Sequence, residues 1–313
     1  MNKTSNDAFP APVVLFVYNR PTHTRQTVEA LSRNFLASDT VLHIYSDAAR
    51  SALDAQKVAE VRSYIKQIVG FKFVTITERN QNIGLARSII EGVTKVCNLA
   101  GHCIVIEDDL HTSQFFLTYM NEALTFYQNE PKVMHISGCR YPVKPFGSED
   151  TFFLYIPLCW GWATWKRAWD TFEKDISIME RFSDKMIRRF DFEYSHGFFN
   201  QLALNKSGQL NTWFIFWYAN IFLRGGLSLF PSISLVNNIG FDNSGVHCST
   251  TSVYDSELCN RRVVISKVDI VESSLGYDSH VNYFISMRVG FWSRFKYYIK
   301  KPVKILYSLL SHV

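Results

Sequence analysis

Four short runs rich in β-branched and aromatic residues begin at Val13 (VVLFVY), Val41 (VLHIY), Phe71 (FKFVTI) and Cys103 (CIVI), spaced by 28, 30 and 32 residues. A strand with its crossover helix and two loops takes roughly 30 residues, so this spacing predicts successive βα units of a parallel sheet. Segments 24–35, 54–69 and 83–96 lie between the runs, with helical composition and no proline. After the fourth run Phe115, Phe116, Tyr119, Met120, Ala123, Leu124 and Tyr127 recur at helical spacing. Thr112 or Ser113 is the expected N-cap, and Pro131 lies beyond the end. The expected class is α/β, a mostly parallel sheet flanked by helices.

In open α/β sheets ligands gather at the carboxyl ends of strands, and the polar clusters of this half fall there. Asn19 and Arg20 follow the first run, Asp47 the second, residues 78–82 the third, and Glu107, Asp108 and Asp109 the fourth. Three adjacent carboxylates beside an apolar strand repel one another unless a counter-charge is present. Hard oxygen ligands suit Mg2+ or Mn2+, which take one or two protein carboxylates and complete their shell with water and substrate phosphates. The stretch "NIGLARSIIEGV" brings Asn82, Gly84 and Arg87 to the start of a helix, where phosphates can be received.

At 313 residues and 47% apolar composition the chain can bury a large core, and its net charge of +5 is too small to argue for nucleic acid. The six cysteines form no CxxC pair, and MNKTSNDAFP has no apolar signal core, so a cytoplasmic protein with buried thiols is expected. No apolar run reaches membrane-spanning length. From Val281 to Val313 there is no acidic residue, and Arg288, Arg294, Lys296, Lys300, Lys301 and Lys304 interleave with Phe291, Trp292, Phe295, Tyr298 and Ile299. This pattern is expected of an interfacial helix at the cytoplasmic face of a membrane, the alternative being a basic helix docked on its own domain.

In the second half VMHIS (133–137), FFLYI (152–156) and LSLF read as further strands. Trp213, Phe214, Trp217, Tyr218, Ile221 and Phe222 form a helical stripe ended by Gly225-Gly226. Between them lies "CWGWATWKRAW". Gly161 allows close approach of backbone, Trp162 is expected to present its ring toward the site, Trp169 packs in the core, and Trp165 fits either role.

The series "FVYNRP", "YSDAAR", "RNQNIGLARSIIEGV" and "IVIEDDL", in this order, resembles nucleotide-sugar glycosyltransferases of the GT-A fold. The EDD form followed by "FFLTYMNEAL" is similar to the N-acetylglucosaminyltransferase I family and its bacterial relatives in surface-polysaccharide synthesis. The likeness spans roughly residues 11–250. It implies Mn2+ or Mg2+ on Asp109, with Glu107 and Asp108 facing the ribose and donor sugar. It also implies a nucleotide bounded by Asn19, Arg20 and Asp47 on one side and by Asn82, Gly84 and Arg87 on the other. Gly161, Trp162 and Trp165 match the acceptor side. Residues 1–145 would form the nucleotide-sugar half, 146–255 the acceptor half of the same domain, and 256–313 a basic extension.

In this family an aspartate following a tryptophan serves as base, but the closest match places Phe214 after Trp213, and phenylalanine accepts no proton. Asp242, in "NNIGFDNSGVHC", is the preferred candidate, ahead of Asp170, Glu173 and Asp175; His247 is a further candidate for the metal or a phosphate. The expected activity is transfer of a sugar from a nucleoside diphosphate, UDP foremost, to a glycan or lipid-linked acceptor. The alternatives are a sugar nucleotidyltransferase, although "YNRPTHTR" lacks that class's glycine-rich loop, and a silent scaffold of the same fold.

Overall fold

The computed structural model describes residues 10–242, 254 and 257–288. The first half alternates strand and helix: β1 (Val13–Val17), α1 (Pro21–Ser32), β2 (Val41–Ser46), α2 (Ala52–Ile65), β3 (Phe73–Glu78), α3 (Leu85–Ala100) and β4 (His102–Glu107). There follow β5 (Leu110–Thr112), α4 (Phe116–Phe126), β6 (Val133–Ser137), β7 (Thr151–Leu154), β8 (Trp162–Trp165) and α5 (Lys166–Trp169). The described elements continue with α6 (Asp184–Phe190), α7 (Phe198–Lys206), α8 (Phe214–Leu223), β9 (Leu227–Pro231) and β10 (Val236–Asn238). A helical stretch over residues 274–288 packs Tyr277, His280 and Phe284 into the interior.

Eight strands form one sheet in the order β3-β2-β1-β4-β8-β6-β9-β7, and β5 pairs with β10 in a small second sheet. β3, β2, β1 and β4 are mutually parallel; β8 is antiparallel to both β4 and β6, β9 is parallel to β6, and β7 is antiparallel to β9. Six of the eight therefore run in one direction, the mixed α/β sheet with helices on both faces that the βα spacing implies.

β1 shows why its sequence carries no polar position. All five residues are buried, Val13, Leu15 and Val17 against one core and Val14 and Phe16 against the other. Alternation along a strand covered on both faces divides apolar residues between two layers instead of separating apolar from polar. Helices α1, α2 and α4 supply Val28, Leu31, Val61, Ile65, Leu117 and Met120 to the first layer. Helix α3 supplies Ile89, Val93 and Val96 to the second, where Trp169 and Trp217 also lie.

Two sequence expectations need correction. β8 lies inside "CWGWATWKRAW", where no strand was expected. Its alternation sends Trp162 into one core and Ala163 and Trp165 into the other, which makes a strand of a tryptophan-rich run. At α4 the cap position is taken by Phe115 with no side-chain cap of its own. Ser113, two residues earlier, accepts the Phe115 N–H on its hydroxyl at 3.3 Å and donates that hydroxyl to the Cys259 carbonyl at 2.5 Å. Among the described residues no helix is long and apolar enough to cross a membrane. The expected basic tail beyond residue 288 lies outside them.

Candidate active site

From β1 the chain builds outward through β2 and β3, then returns past β1 to lay β4 on its other side. Such a reversal opens a crevice at the carboxyl ends of the two diverging strands. Tyr18, Asn19 and Arg20 leave β1 on one wall, and Glu107, Asp108 and Asp109 leave β4 on the other. A third segment crosses them. β10 pairs antiparallel with β5, and the Ile239 N–H donates to the Asp109 carbonyl at 2.8 Å, which carries Gly240 and Asp242 over the triplet.

Arg20 organises this junction. Its Nη1 donates to Asp109 Oδ2 at 2.8 Å, and its Nη2 lies 3.4 Å from the Gly240 carbonyl and 3.6 Å from Asp242 Oδ1. His23, one turn along α1, places Nε2 3.1 Å from Asp242 Oδ2. Arg20, expected to bound a nucleotide base, has its guanidinium turned onto two carboxylates. Gly240 makes the approach possible: a Cβ there would lie 2.2 Å from Asp109 Oδ2 and 3.0 Å from Arg20 Nη1.

The triplet is under-neutralised. Burial, followed by the charges of Asp109 and Asp108, pushes the Glu107 carboxyl well above the usual range despite Arg20. Burial and then the Asp109 charge raise Asp108 to about 7. Asp108 accepts the Tyr18 N–H at 3.2 Å, and Thr27 donates its hydroxyl to the Asp108 carbonyl at 2.9 Å, so α1 fixes the loop after β4.

The remaining donor-side residues are engaged by neighbouring groups of the chain. Asp47 accepts N–H groups of Ala48, Ile83 and Gly84 at 2.9, 3.1 and 2.9 Å, filling the head of α3 where phosphates were expected. Asn82 donates to the Ala48 carbonyl at 2.7 Å, and Asn19 to Asp54 Oδ1 at 2.6 Å. Arg87 projects outward, pairing with Glu91 at 2.7 Å. These contacts shape the two loops beside the crevice.

The acceptor-side expectations for Gly161, Trp162 and Trp165 are corrected. Trp162 is fully buried, stacked on His135 and Trp213 with centroids 5.2 Å away in each case. Trp165 is buried with its Nε1 donating to the Leu124 carbonyl at 3.1 Å. Gly161, at φ 66, is wedged where a Cβ would lie 2.8 Å from Val236 and 3.1 Å from Phe116. All three serve the core, as does Trp169. The tryptophan at the rim is Trp160, half-buried, its ring 5.5 Å from Phe241 and 5.4 Å from Tyr254. Sequence reasoning passed over Trp160, Gly240 and His23. Their signals were position alone: one residue before Gly161, two before Asp242, and three after Arg20.

For a divalent ion the residues fit in kind. Asp109 spends Oδ2 on Arg20 and keeps Oδ1 off that pair, and its neighbours are carboxylates whose repulsion a cation relieves. No group of three or more His, Cys, Asp or Glu is gathered as a ready cage among the described residues, but Mg2+ needs only one or two protein carboxylates. His247 lies outside the described residues.

No protein-family model and no curated protein matches the chain. Solved structures align with it at low similarity. A mannosyltransferase from Pyrobaculum calidifontis in complex with GDP-Man and Mn2+ shares 11% identity, over 71% of this chain and 73% of that one, with a TM-score of 0.38. TarS from S. aureus shares 11% identity over 45% of this chain and 24% of its own, with a TM-score of 0.30. A UDP-glucose pyrophosphorylase complexed with UDP-glucose shares 11% identity, over 71% and 90%, with a TM-score of 0.36.

Proposed function

We propose that this chain is a metal-dependent glycosyltransferase that moves a sugar from a nucleoside diphosphate, UDP foremost, to a glycan or lipid-linked acceptor in bacterial surface-polysaccharide synthesis, with inversion. One observation carries the reading: at the switch point of the sheet an under-neutralised carboxylate triplet, a half-buried guanidinium and a half-exposed aspartate converge from three separate parts of the chain. Asp109 would hold Mn2+ or Mg2+, which when bound supplies charge neutralisation to the departing diphosphate. Arg20 keeps Asp109 oriented and adds a fixed positive charge beside the leaving group. Glu107 and Asp108 face the donor. Asp242, held by His23, takes the proton of the acceptor hydroxyl as its oxygen bonds to the anomeric carbon and the bond to the diphosphate breaks.

The test is incubation with Mn2+ or Mg2+ and a panel of nucleotide sugars, read as nucleoside diphosphate release, beside Asp109→Ala and Asp242→Asn. Asp109→Ala should abolish metal-dependent donor binding, whereas Asp242→Asn should bind donor and fail to transfer. An unaltered Asp109→Ala protein would overturn the metal assignment. Pyrophosphate release from a nucleoside triphosphate and a sugar 1-phosphate would identify a nucleotidyltransferase instead.

A further inference from the structure

Among the described residues six arginines are half-buried, and five have partners. Arg20 meets Asp109, Arg62 meets Glu78, Arg79 meets Glu91, Arg167 donates to three carbonyls, and Arg189 pairs with Glu272. Arg140 has neither an ion pair nor a hydrogen bond among the described residues, and burial alone holds its guanidinium below the usual arginine range. A half-buried cation with no ion pair is partly stripped of water, and a ligand that supplies the anion offsets that cost.

Arg140 also has a telling location. It lies in the loop after β6, which runs in the same direction as β4 with only β8 between them. Its loop therefore opens at the same edge as the acidic triplet, β6 lying about 10 Å from β4 at the usual strand spacing. An aromatic run joins the two places. Tyr141 packs against Trp160 and Tyr254 at 6.4 and 6.2 Å, and Phe241, next to Asp242, packs against Trp160 and Tyr254 at 5.5 and 4.9 Å. Trp160, Phe241 and Tyr254 are all half-buried. Aromatic rings of this kind bind sugar faces, and a guanidinium on the residue preceding Tyr141, whose charge also reaches the buried His280, can read an oxyanion bidentately.

We propose that Trp160, Phe241 and Tyr254 form the acceptor subsite and that Arg140 binds an anionic substituent of the acceptor, a carboxylate or a phosphate. This rests on the glycosyltransferase reading. The donor's own phosphates are assigned to the crevice between β1 and β4, two strand positions away. The acceptor of this protein is therefore an acidic glycan or a phosphorylated carrier, selected by a charge that lies outside the reacting centre.

Binding of p-nitrophenyl β-glucuronide, glucose 6-phosphate and p-nitrophenyl β-glucoside is measured on the intact protein by tryptophan quenching or ligand-observed NMR, with UDP and Mn2+ titrated separately. The wild type should bind one anionic probe at least tenfold more tightly than the neutral glucoside, the glucuronide indicating a carboxylate and the phosphate a phosphorylated carrier. Arg140→Gln should erase that preference, Arg140→Lys should retain part of it, and both should leave the UDP dissociation constant within twofold. Equal affinity of the wild type for charged and neutral probes overturns the proposal. So does a preference that survives in Arg140→Gln, or a tenfold loss of UDP binding in that variant, which would move Arg140 to the donor. Failure of the wild type to bind UDP would count against the glycosyltransferase reading and leaves the probe comparison intact.

Discussion

The Gly240→Ala substitution tests whether the Arg20–Asp109 pair organises the site. The added Cβ would lie 2.2 Å from Asp109 Oδ2, 2.9 Å from Asp109 Cγ and 3.0 Å from Arg20 Nη1. Relieving the closest contact requires a retreat of about 1 Å to reach ordinary van der Waals separation. The Asp109 carboxylate is 15% exposed and the guanidinium 11%, so the carboxylate has the easier path, and a 2.8 Å ion pair opens. A misplacement of about 1 Å in a positioning group costs on the order of 100-fold in rate, while overpacking costs about 1–3 kcal/mol, less than a typical domain's stability. Gly240→Ala should therefore melt cooperatively at a slightly lower temperature, bind UDP with Mn2+ at least tenfold more weakly, and transfer about 100-fold more slowly. Calorimetric UDP titration, a nucleotide-release assay and a thermal melt suffice. Wild-type affinity and turnover in a folded Gly240→Ala protein would refute the claim that this ion pair sets the geometry.

The two neighbouring tryptophans should separate cleanly: Trp162→Ala loses about 3–5 kcal/mol of stability as a buried ring is removed, whereas Trp160→Ala melts near the wild type and weakens binding of the glycoside probes. Burial holds the His135 imidazole down to about 3, and its Nδ1 already accepts the Trp217 N–H at 3.1 Å. A depressed folded value means that its contribution to stability is complete above the ordinary value of 6.5 and is lost as pH falls from there toward 3. In denaturant titrations His135→Gln should therefore lose stability less steeply than the wild type below that point, by up to about 1.4 kcal/mol per pH unit, and identical slopes would refute the assignment. Removal of residues 289–313 should abolish sedimentation with vesicles rich in anionic lipid, and unchanged sedimentation would place membrane affinity elsewhere or nowhere.

Much of the first half was legible because its signals are local. VVLFVY, VLHIY, FKFVTI and CIVI appear as strands within two residues of their expected starts: β1 and most of β4 are buried on both faces and write themselves as uninterrupted apolar runs, while β3, the partly exposed edge strand, shows through its β-branched residues. β8 was illegible for the opposite reason: four residues with tryptophan at both ends carry no strand signature until β4 and β6 flank them. The tryptophans show how small the margin is. Successive residues of a strand point to opposite faces, so neighbours in "CWGWATW" meet different surroundings, and composition cannot say which ring reaches the rim.

By itself the sequence determined the βα order and, with it, the edge at which the site lies. Chain direction alone puts whatever follows each parallel strand at the same end of the sheet, so Asn19, Arg20, Asp47 and the triplet were placed before any contact was known. Partnership belonged to the tertiary structure. Arg20 reaches Gly240 across 220 residues of sequence, and the β5–β10 pairing alone delivers Asp242 and His23 to each other. Asp47 turned out to cap its neighbour loop, and Arg140 to stand without a counter-ion among the described residues. Local periodicity specifies which elements form. The sign and distance of the charges facing them depend on strand order and on segments remote in the chain.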